Sequence, residues 1–304
     1  MSKQRQNIHR KLPTSIKNML RGSRAISRTV SNLRSTIDID LFLPLVEALP
    51  LFAAQGYSMA PTMGVSLARF RIDIPTLSAV SIERELAWAA AVFVHYHSAL
   101  NHFLNLKSQV EWNLLAGGYD VCEETLDRIE HEFGFSFWLL DVRLALLQES
   151  GGLEAQKAFS ALTRSVRPSG DMIPFLAAQI SWRNEDTTNP FLYRQTTGEL
   201  FAEAPISEEF RAYLIFKSTG QCTADPRTIS ALLRYDASHS LLDYYETFVR
   251  LAAVHLSQDE SKYNPGVFAS SLLSLEKVLS DFRLSKLLCL ATRDLAHLNS
   301  PGCK

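Results

Sequence analysis

LLAGGYDVCEETLDRIEHEFGFSFWLL, residues 114–140, carries the clearest helix boundaries in the chain. It predicts the end of one helix, a turn, a complete second helix, another turn and the start of a third. Asp120 is expected to cap the complete helix, and Glu123, three residues later, to close a capping box. Gly134 is expected to end this helix with a left-handed residue, and Ser136 to cap the next helix. The stretch therefore predicts helical hairpins.

One apolar stripe runs along the complete helix. The residues that recur there at the spacing of one helix face are Cys122, Leu126, Ile129 and Phe133. The next helices are expected over residues 137–149 and 153–166, separated by Gly151 and Gly152. Such short connectors bring neighbouring helices together antiparallel. Because one pair cannot bury its own apolar face, the stripe predicts that further helices stack against it.

The stretch also carries a family resemblance. The run Gly117-x-Tyr119-x-x-Cys122-x-x-x-Leu126-x-x-Ile129 resembles the second half of a tetratricopeptide repeat. A second run, Gly152-Leu153-x-Ala155-x-x-x-Phe159-x-x-Leu162, follows at an offset of 33 to 34 residues. Gly134 stands where the family has its closing proline. The resemblance covers about residues 100–170 and implies an all-α fold of stacked antiparallel hairpins, either a tetratricopeptide-like solenoid or an irregular helical array.

The rest of the chain divides by pattern into five parts. We expect a basic, flexible arm over residues 1–36, an irregular connector over 37–80 and a helical-hairpin region over 81–183. A polar, turn-rich connector is expected over 184–206, and a C-terminal helical region over 207–299. One long helix is predicted over residues 82–115, with a break near Asn105. FRIDIP, residues 70–75, alternates like a strand, and an extended connector is the other interpretation.

Composition limits the class of protein. The chain has 304 residues, of which 46% are hydrophobic and 21% charged, the profile of a soluble globular protein. The longest apolar run, residues 86–94, falls short of the about 18 residues that a membrane-spanning helix needs. The four cysteines are scattered, and no secretory signal follows Met1. We expect a cytoplasmic protein with reduced thiols.

Charge is distributed unevenly. Residues 1–34 contain nine Lys and Arg and no acidic residue, so the remainder of the chain carries a balance of −10. Four roles remain open for this arm: binding nucleic-acid phosphates, lying on an anionic membrane, acting as a transit peptide, or docking on the acidic body or another chain. The candidate binding residues are Lys3, Arg5, Arg10, Lys11, Lys17, Arg21, Arg24 and Arg28.

Motifs for catalysis are sparse. The pair Arg234 and His239 matches the R-x4-H spacing of the HEPN ribonucleases, in which Arg and His act on the scissile phosphate. His suits proton transfer and Arg suits the developing charge. The residues between them look like a turn, whereas that family carries its pair at the start of a helix. His95 and His102 share a helix face, but a metal site would need further ligands, so no metal and no cofactor is expected.

Two function hypotheses follow. The favoured one is a non-enzymatic helical scaffold or protein-interaction subunit of a larger, bacterial-type assembly. Its acidic body suits a basic partner, and its basic arm could contact nucleic acid or an acidic partner. The alternative is a helical ribonuclease that uses Arg234 and His239. Trp112 and Tyr119 could line a binding groove, although packing between helices is the favoured interpretation. The oligomeric state stays open.

Overall fold

The computed structural model describes residues 12–23, 26–49, 65–72, 74–75, 77–167, 171–223, 225–257 and 266–298. Within these ranges the regular secondary structure is helical, which confirms the all-α prediction. The helices are α1 (Thr14–Gly22), α2 (Ile26–Thr36), α3 (Phe42–Ala48), α4 (Ile82–His95), α5 (His97–Ala116), α6 (Tyr119–Phe133), α7 (Phe137–Ser165), α8 (Met172–Arg183), α9 (Pro190–Ala202), α10 (Glu208–Thr219), α11 (Pro226–Ala237), α12 (Leu241–Leu256), α13 (Gly266–Glu276) and α14 (Phe282–Leu298). A 3₁₀ turn, Ile39–Leu41, precedes α3.

None of the helices in these ranges is both long and apolar enough to span a bilayer. The only β-type contact among the described residues is an isolated parallel bridge between Val65 and Gly134. The described part of FRIDIP forms no strand, and Phe70 instead lies buried against the rings of Phe135 and Phe137.

Helix α4 lies at the centre of the fold. It packs against α2, α3, α11, α12 and α13. Leu86 and Phe93 are fully buried, and Trp88 is 2% exposed. Its segment over residues 86–93 is apolar and mostly buried, and the small side chains of residues 89–91 let neighbouring backbones approach closely. The fold is therefore organised around one central helix.

The helix predicted over residues 82–115 is broken at Tyr96, rather than near Asn105. Tyr96 has φ −94° and ψ 20°, and its N–H bonds back to Val92. The exposed His97 places Nδ1 2.9 Å from the carbonyl oxygen of Val94, which satisfies a group at the end of α4. The break was not visible in the sequence because both of its flanks are helical.

The predicted hairpin of α5 and α6 is present. Gly117 ends α5 with φ 75°, Gly134 follows α6 with φ 83°, and the Ser136 Oγ accepts the N–H of Leu139 at the start of α7. The apolar stripe of α6 is buried, as predicted, at Cys122, Leu126, Ile129 and Phe133. The capping prediction for Asp120 is wrong, because α6 begins at Tyr119 with Gly118 at the N-cap position and no side-chain cap.

Helix α7 comprises the two helices predicted on either side of Gly152, which kinks it with φ 70° and ψ −167°. Positions 34 residues beyond the buried stripe of α6 are buried again, but they hold the polar residues Gln156, Ser160 and Thr163. The Gln156 side-chain amide donates to the carbonyl oxygen of Ser181 on α8 and accepts a hydrogen bond from the Ser181 hydroxyl. Leu162, at the 33-residue offset, is 52% exposed.

Residues near the N-terminus are structured where the sequence predicted a flexible arm. The apolar side chains Ile16, Leu20, Ile26, Val30 and Leu33 of α1 and α2 are buried. The two helices are amphipathic, with Arg21 and Arg28 exposed on the opposite face, whereas Arg34 of α2 is buried. The sequence interpretation gave more weight to the charge of this segment than to its apolar spacing. Residues 1–11 lie outside the described ranges.

Two expected connectors also contain helices. Helix α9 lies within residues 184–206, capped by the Asn189 side chain, with Pro190 in its first turn. Its buried positions are Tyr193, Thr197 and Phe201. Helix α3 lies within residues 37–80 and buries Phe42 edge-on against Trp88.

Candidate functional site

A cavity of about 360 Å³ lies where the start of α7, the end of α10, helix α12 and the start of α14 meet. It is lined by Phe137, Trp138, Asp141, Phe216, Lys217, Asp243, Glu246, Thr247, Val249, Arg250, Ala253 and Arg283. Aromatic walls and several ionisable groups converge there, as in small-molecule sites.

Lys217 is buried beside this cavity. Its Nζ donates to Asp236 Oδ2 at 2.7 Å and to Thr247 Oγ1 at 3.2 Å. The ammonium also lies 5.5–5.7 Å from the ring centroids of Tyr213, Phe137 and Phe216. Asp236 is fully buried and also accepts from the hydroxyls of Tyr213 and Thr247. The Lys217 charge is therefore neutralised inside an aromatic enclosure.

Asp243 joins α12 to α7. Its carboxylate accepts the backbone N–H of Phe137 at 2.8 Å and of Trp138 at 2.9 Å, so one helix caps another. Burial raises the pKa of Asp243 to about 6, against the opposing charge of Lys217. Ser240 Oγ accepts the Asp243 N–H at 3.4 Å and so caps α12, while the Asp243 carboxylate binds the start of α7.

A second ion-pair group borders the cavity. Arg283 donates to both carboxylate oxygens of Glu246 at 2.7 Å, and Lys107 donates to Glu246 at 2.8 Å. Burial alone would raise the pKa of Glu246, but the hydrogen bonds from Arg283 and the charge of Lys107 lower it. Arg283 also pairs with Asp281, which accepts the Tyr245 hydroxyl. These charges are fully partnered within the protein.

Arg250 differs from the other cations of the cavity. Its guanidinium lies 5.5 Å from the centroid of the Phe216 ring and directly against Gly220, the residue that ends α10. It has no hydrogen bond and no ion pair within 4 Å to any residue that the structure describes. Loss of hydration lowers the pKa of Arg250, partly offset by the charge of Asp141. Asp141 itself is paired with Arg183.

A separate ion pair holds α2 against the central helix. Arg34 Nη2 donates to Glu85 Oε1 at 2.6 Å, and both side chains are fully buried. The other Glu85 oxygen accepts from Ser230 Oγ at 3.3 Å, and the Arg34 guanidinium lies 5.1 Å from the Trp88 ring centroid. Burial raises the pKa of Glu85, opposed first by the charge of Arg34 and then by that of Arg234.

The structure places both residues of the predicted Arg–His pair in packed surroundings. Arg234 is 8% exposed and donates to Glu209 Oε2 at 3.1 Å. His239 is 3% exposed, and its ring lies near the rings of Phe70 and Tyr213. Helix α11 runs to residue 237, so the expected turn between them starts later than predicted. Neither side chain lines the charged cavity, and the catalytic role stays a prediction.

The basic candidates divide between described and undescribed parts of the chain. Arg21 and Arg28 are exposed on α1 and α2, and Lys17 is partly exposed. The remaining candidates, Lys3, Arg5, Arg10, Lys11 and Arg24, lie outside the described residues. A positive face is therefore present on the two N-terminal helices.

The histidine cluster is not brought together as a ligand set. His102 Nε2 lies 2.6 Å from Glu132 Oε2, while the His95 ring packs edge-on against Tyr96. Over the described ranges, no group of three His, Cys, Asp or Glu side chains is arranged to hold a metal ion.

An exposed apolar surface occurs at the end of α5. Trp112 is 73% exposed and Leu115, one helix turn later, is 87% exposed. We call these two side chains the α5 corner. The packing interpretation is wrong for Trp112, whereas Tyr119 does pack against the core. The other tryptophans, Trp88, Trp138 and Trp182, are buried or partly buried.

The exposed charge near the α5 corner is mostly acidic. Between residues 108 and 127 the sequence contains five acidic residues and no Lys or Arg. All five are exposed: Glu111, Asp120, Glu123, Glu124 and Asp127. Part of this charge suits the N-terminal end of α6. Glu111 pairs with Lys107 and Asp127 with Arg143, so the acidic border of the α5 corner consists mainly of Asp120, Glu123 and Glu124.

Sequence reasoning missed both features. The charged cavity joins segments that are far apart in the chain, with Lys217 and Asp243 separated by 26 positions, and no short motif encodes such an arrangement. A usable signal was a charged residue on an otherwise apolar helix face, as at Lys217 and Asp236. The exposure of Trp112 had no local signal, because a helical pattern does not show which face lacks a neighbour.

Comparison of the chain with protein-family models, curated proteins and solved structures gives no match.

Proposed function

We propose that this chain is a helical protein-interaction subunit that binds a basic, apolar segment of a partner at the α5 corner. The observation that carries the proposal is the exposure of Trp112 and Leu115, at 73% and 87%, beside an acidic border. Tryptophan is enriched among residues that dominate binding energy at interfaces. Exposed apolar side chains rimmed by polar ones are typical of interaction sites.

The helical arrangement supports this role. Helices α5, α6, α7 and α8 pack in sequence, each against the next, as hairpins of a tetratricopeptide-like array do. A linear solenoid has contacts between neighbours alone, whereas α4 packs against α11, α12 and α13. We therefore place a short tetratricopeptide-like section on a globular helical core. Such a section presents one helix face to a partner while the core fixes its position.

Charge complementarity defines the partner. The five acidic residues around the α5 corner favour a basic segment, and the two apolar side chains favour one that is amphipathic. We place such a complex in a cytoplasmic, bacterial-type assembly of several components. The occupant of the α5 corner is thus a basic amphipathic helix of another protein.

Site-specific photocrosslinking tests this proposal. A photoreactive phenylalanine analogue replaces Trp112, and in a matched control it replaces Phe191 on α9, which is 72% exposed. We expect position 112 to crosslink to a segment with net positive charge and apolar residues at helical spacing. Absence of a crosslink at position 112, an acidic crosslinked segment, or the same crosslink from position 191 would contradict the proposal.

The N-terminal helices supply a second contact in the proposal, to nucleic acid or to an acidic partner. Arg21 and Arg28 are exposed, while Arg34 on the same pair of helices is part of the core. Deleting residues 1–34 would therefore disturb the fold, and surface charge reversal is the better test. Lys17→Glu, Arg21→Glu and Arg28→Glu should each weaken binding and reduce the slope of log K against log salt by about 0.9 per lost phosphate contact.

Fluorescence anisotropy with labelled RNA, labelled DNA and labelled polyglutamate measures this effect. Arg128→Glu, an exposed arginine on α6, is the matched control. A phosphate contact predicts loss with the nucleic acids, and an acidic protein partner predicts loss with polyglutamate alone. Equal binding by all variants would remove the arm from the proposal.

A further inference from the structure

Arg250 is an exposed cation at the charged cavity and has no ion pair with any residue that the structure describes. Gly220 has φ 71°, and a Cβ at this position would meet Arg250 Nη2 at 1.9 Å. The Arg250 guanidinium therefore occupies space that a side chain at position 220 would fill. It also lies 5.5 Å from the centroid of the Phe216 ring. The position of this charge is defined by the surrounding structure and not by a carboxylate among the described residues.

The remaining charges of the cavity are already matched. Lys217 is paired with Asp236, Arg283 with Glu246, and Asp141 with Arg183. The Asp243 carboxylate accepts two backbone N–H groups and lies 4.0 Å from Lys217. A cationic ligand would meet carboxylates that already have partners, whereas an anion would meet the Arg250 guanidinium, which has no ion pair among the described residues.

The shape and lining of the cavity limit the ligand further. Its volume of about 360 Å³ lies at the lower end of the range for small-molecule sites. Phe137, Trp138, Val249 and Ala253 supply apolar walls. A planar carboxylate matches the fork of a guanidinium. A phosphate would bring more negative charge close to Asp141 and Glu246.

From this geometry we infer that the cavity binds a small organic carboxylate with an apolar body, and that Arg250 pairs with the carboxylate group. The site is separate from the α5 corner, so either proposal can fail without the other. Arg250 is a binding residue in this inference and no reaction is assigned to it.

Titration calorimetry with benzoate, hexanoate and glutarate tests the inference. Benzamide, which has the same ring without the charge, and inorganic phosphate are the control ligands. We expect saturable binding of at least one of the carboxylates and weaker binding of both controls. Arg250→Gln should weaken carboxylate binding by about 10- to 100-fold, since a charge-assisted bidentate contact is lost. Arg128→Ala, which removes an exposed arginine on α6, should have no effect.

Three outcomes would overturn the inference: no carboxylate binding at about 10 mM, undiminished binding by Arg250→Gln, or equal binding of benzamide or phosphate. Circular dichroism checks that the variant folds. A second measurement uses the wild-type protein. The guanidinium NMR signals of Arg250 are followed while benzoate is added. A shift of those signals supports the contact, and signals that stay unchanged at saturation contradict it.

Discussion

Replacing Arg34 by methionine should destabilise the protein strongly. The substitution keeps an unbranched side chain and removes the donor that lies 2.6 Å from Glu85 Oε1. Glu85 would retain its bond from Ser230 and the more distant charge of Arg234, but it would stay fully buried. Breaking a buried pair by removing one partner costs about 3–5 kcal/mol of unfolding free energy. The cation–π contact with Trp88 is lost as well.

The loss should depend on pH in a definite direction. Burial already raises the pKa of Glu85 in the folded protein, and removing the charge of Arg34 raises it further. A carboxyl group whose folded pKa is raised contributes stability that is fully present below its unfolded pKa and is lost as pH rises through the folded value. The variant should therefore be close to wild type near about pH 4.5 and show its full deficit near about pH 8.

Urea unfolding followed by circular dichroism measures both the magnitude and the pH dependence. Arg28→Met, an exposed arginine on the same helix, is the matched control and should change stability by less than about 0.5 kcal/mol. The double variant with Arg34→Met and Glu85→Met should recover most of the loss, since no charge is left buried. If Arg34→Met unfolds within about 0.5 kcal/mol of wild type at about pH 8, α2 is not anchored to α4 as described.

Three further predictions concern the cavity and the packed Arg–His pair. Asp243→Ala should lower the unfolding free energy by about 1–3 kcal/mol, because two N–H groups at the start of α7 lose their acceptor. In the wild-type protein, NMR titration of the Asp243 carboxyl should give a midpoint of about 6. Gly220→Ala should destabilise the protein by at least about 1 kcal/mol, because Gly220 has a positive φ. Gly198→Ala lies inside α9, where nothing is within 4 Å of the new Cβ, and should stabilise the protein by about 0.5–1 kcal/mol in thermal unfolding. Arg234→Ala with His239→Ala should lower the melting temperature and leave partner binding at the α5 corner unchanged; lost binding by a folded double variant would contradict this assignment.

The parts of the fold that were predictable are those with a local signal. Helix α6 was readable because four apolar residues recur on one face between two glycines of positive φ. The break at Tyr96 was not readable, because no glycine or proline marks it and both of its flanks are helical. Helices α1 and α2 were missed because their charge outweighed five apolar residues at helical spacing.

The candidate sites were less predictable than the helices, because no local sequence signal marks them. The Asp243 carboxylate binds the start of α7, more than 100 residues away in the chain, because packing brings the two helices within hydrogen-bond distance. Trp112 and Leu115 follow the same helical spacing as core residues, and only the absence of a neighbouring helix among the described residues leaves them exposed. Non-local packing decides both features, and a single sequence carries no direct record of it.

The measurement that tests the proposed function most directly is quantitative co-purification with paired surface variants. Wild type, Trp112→Ala with Leu115→Ala, and the matched control Phe191→Ala with Leu192→Ala are captured from the native host and their partners are quantified. We predict a partner with a basic amphipathic segment that binds wild type and the control alike. Recovery of this partner should fall at least about 30-fold with the α5 corner variant, and its binding to wild type should weaken as salt is raised. Equal recovery by all three proteins, or equal loss from the control, would contradict the proposal that the α5 corner is the binding surface.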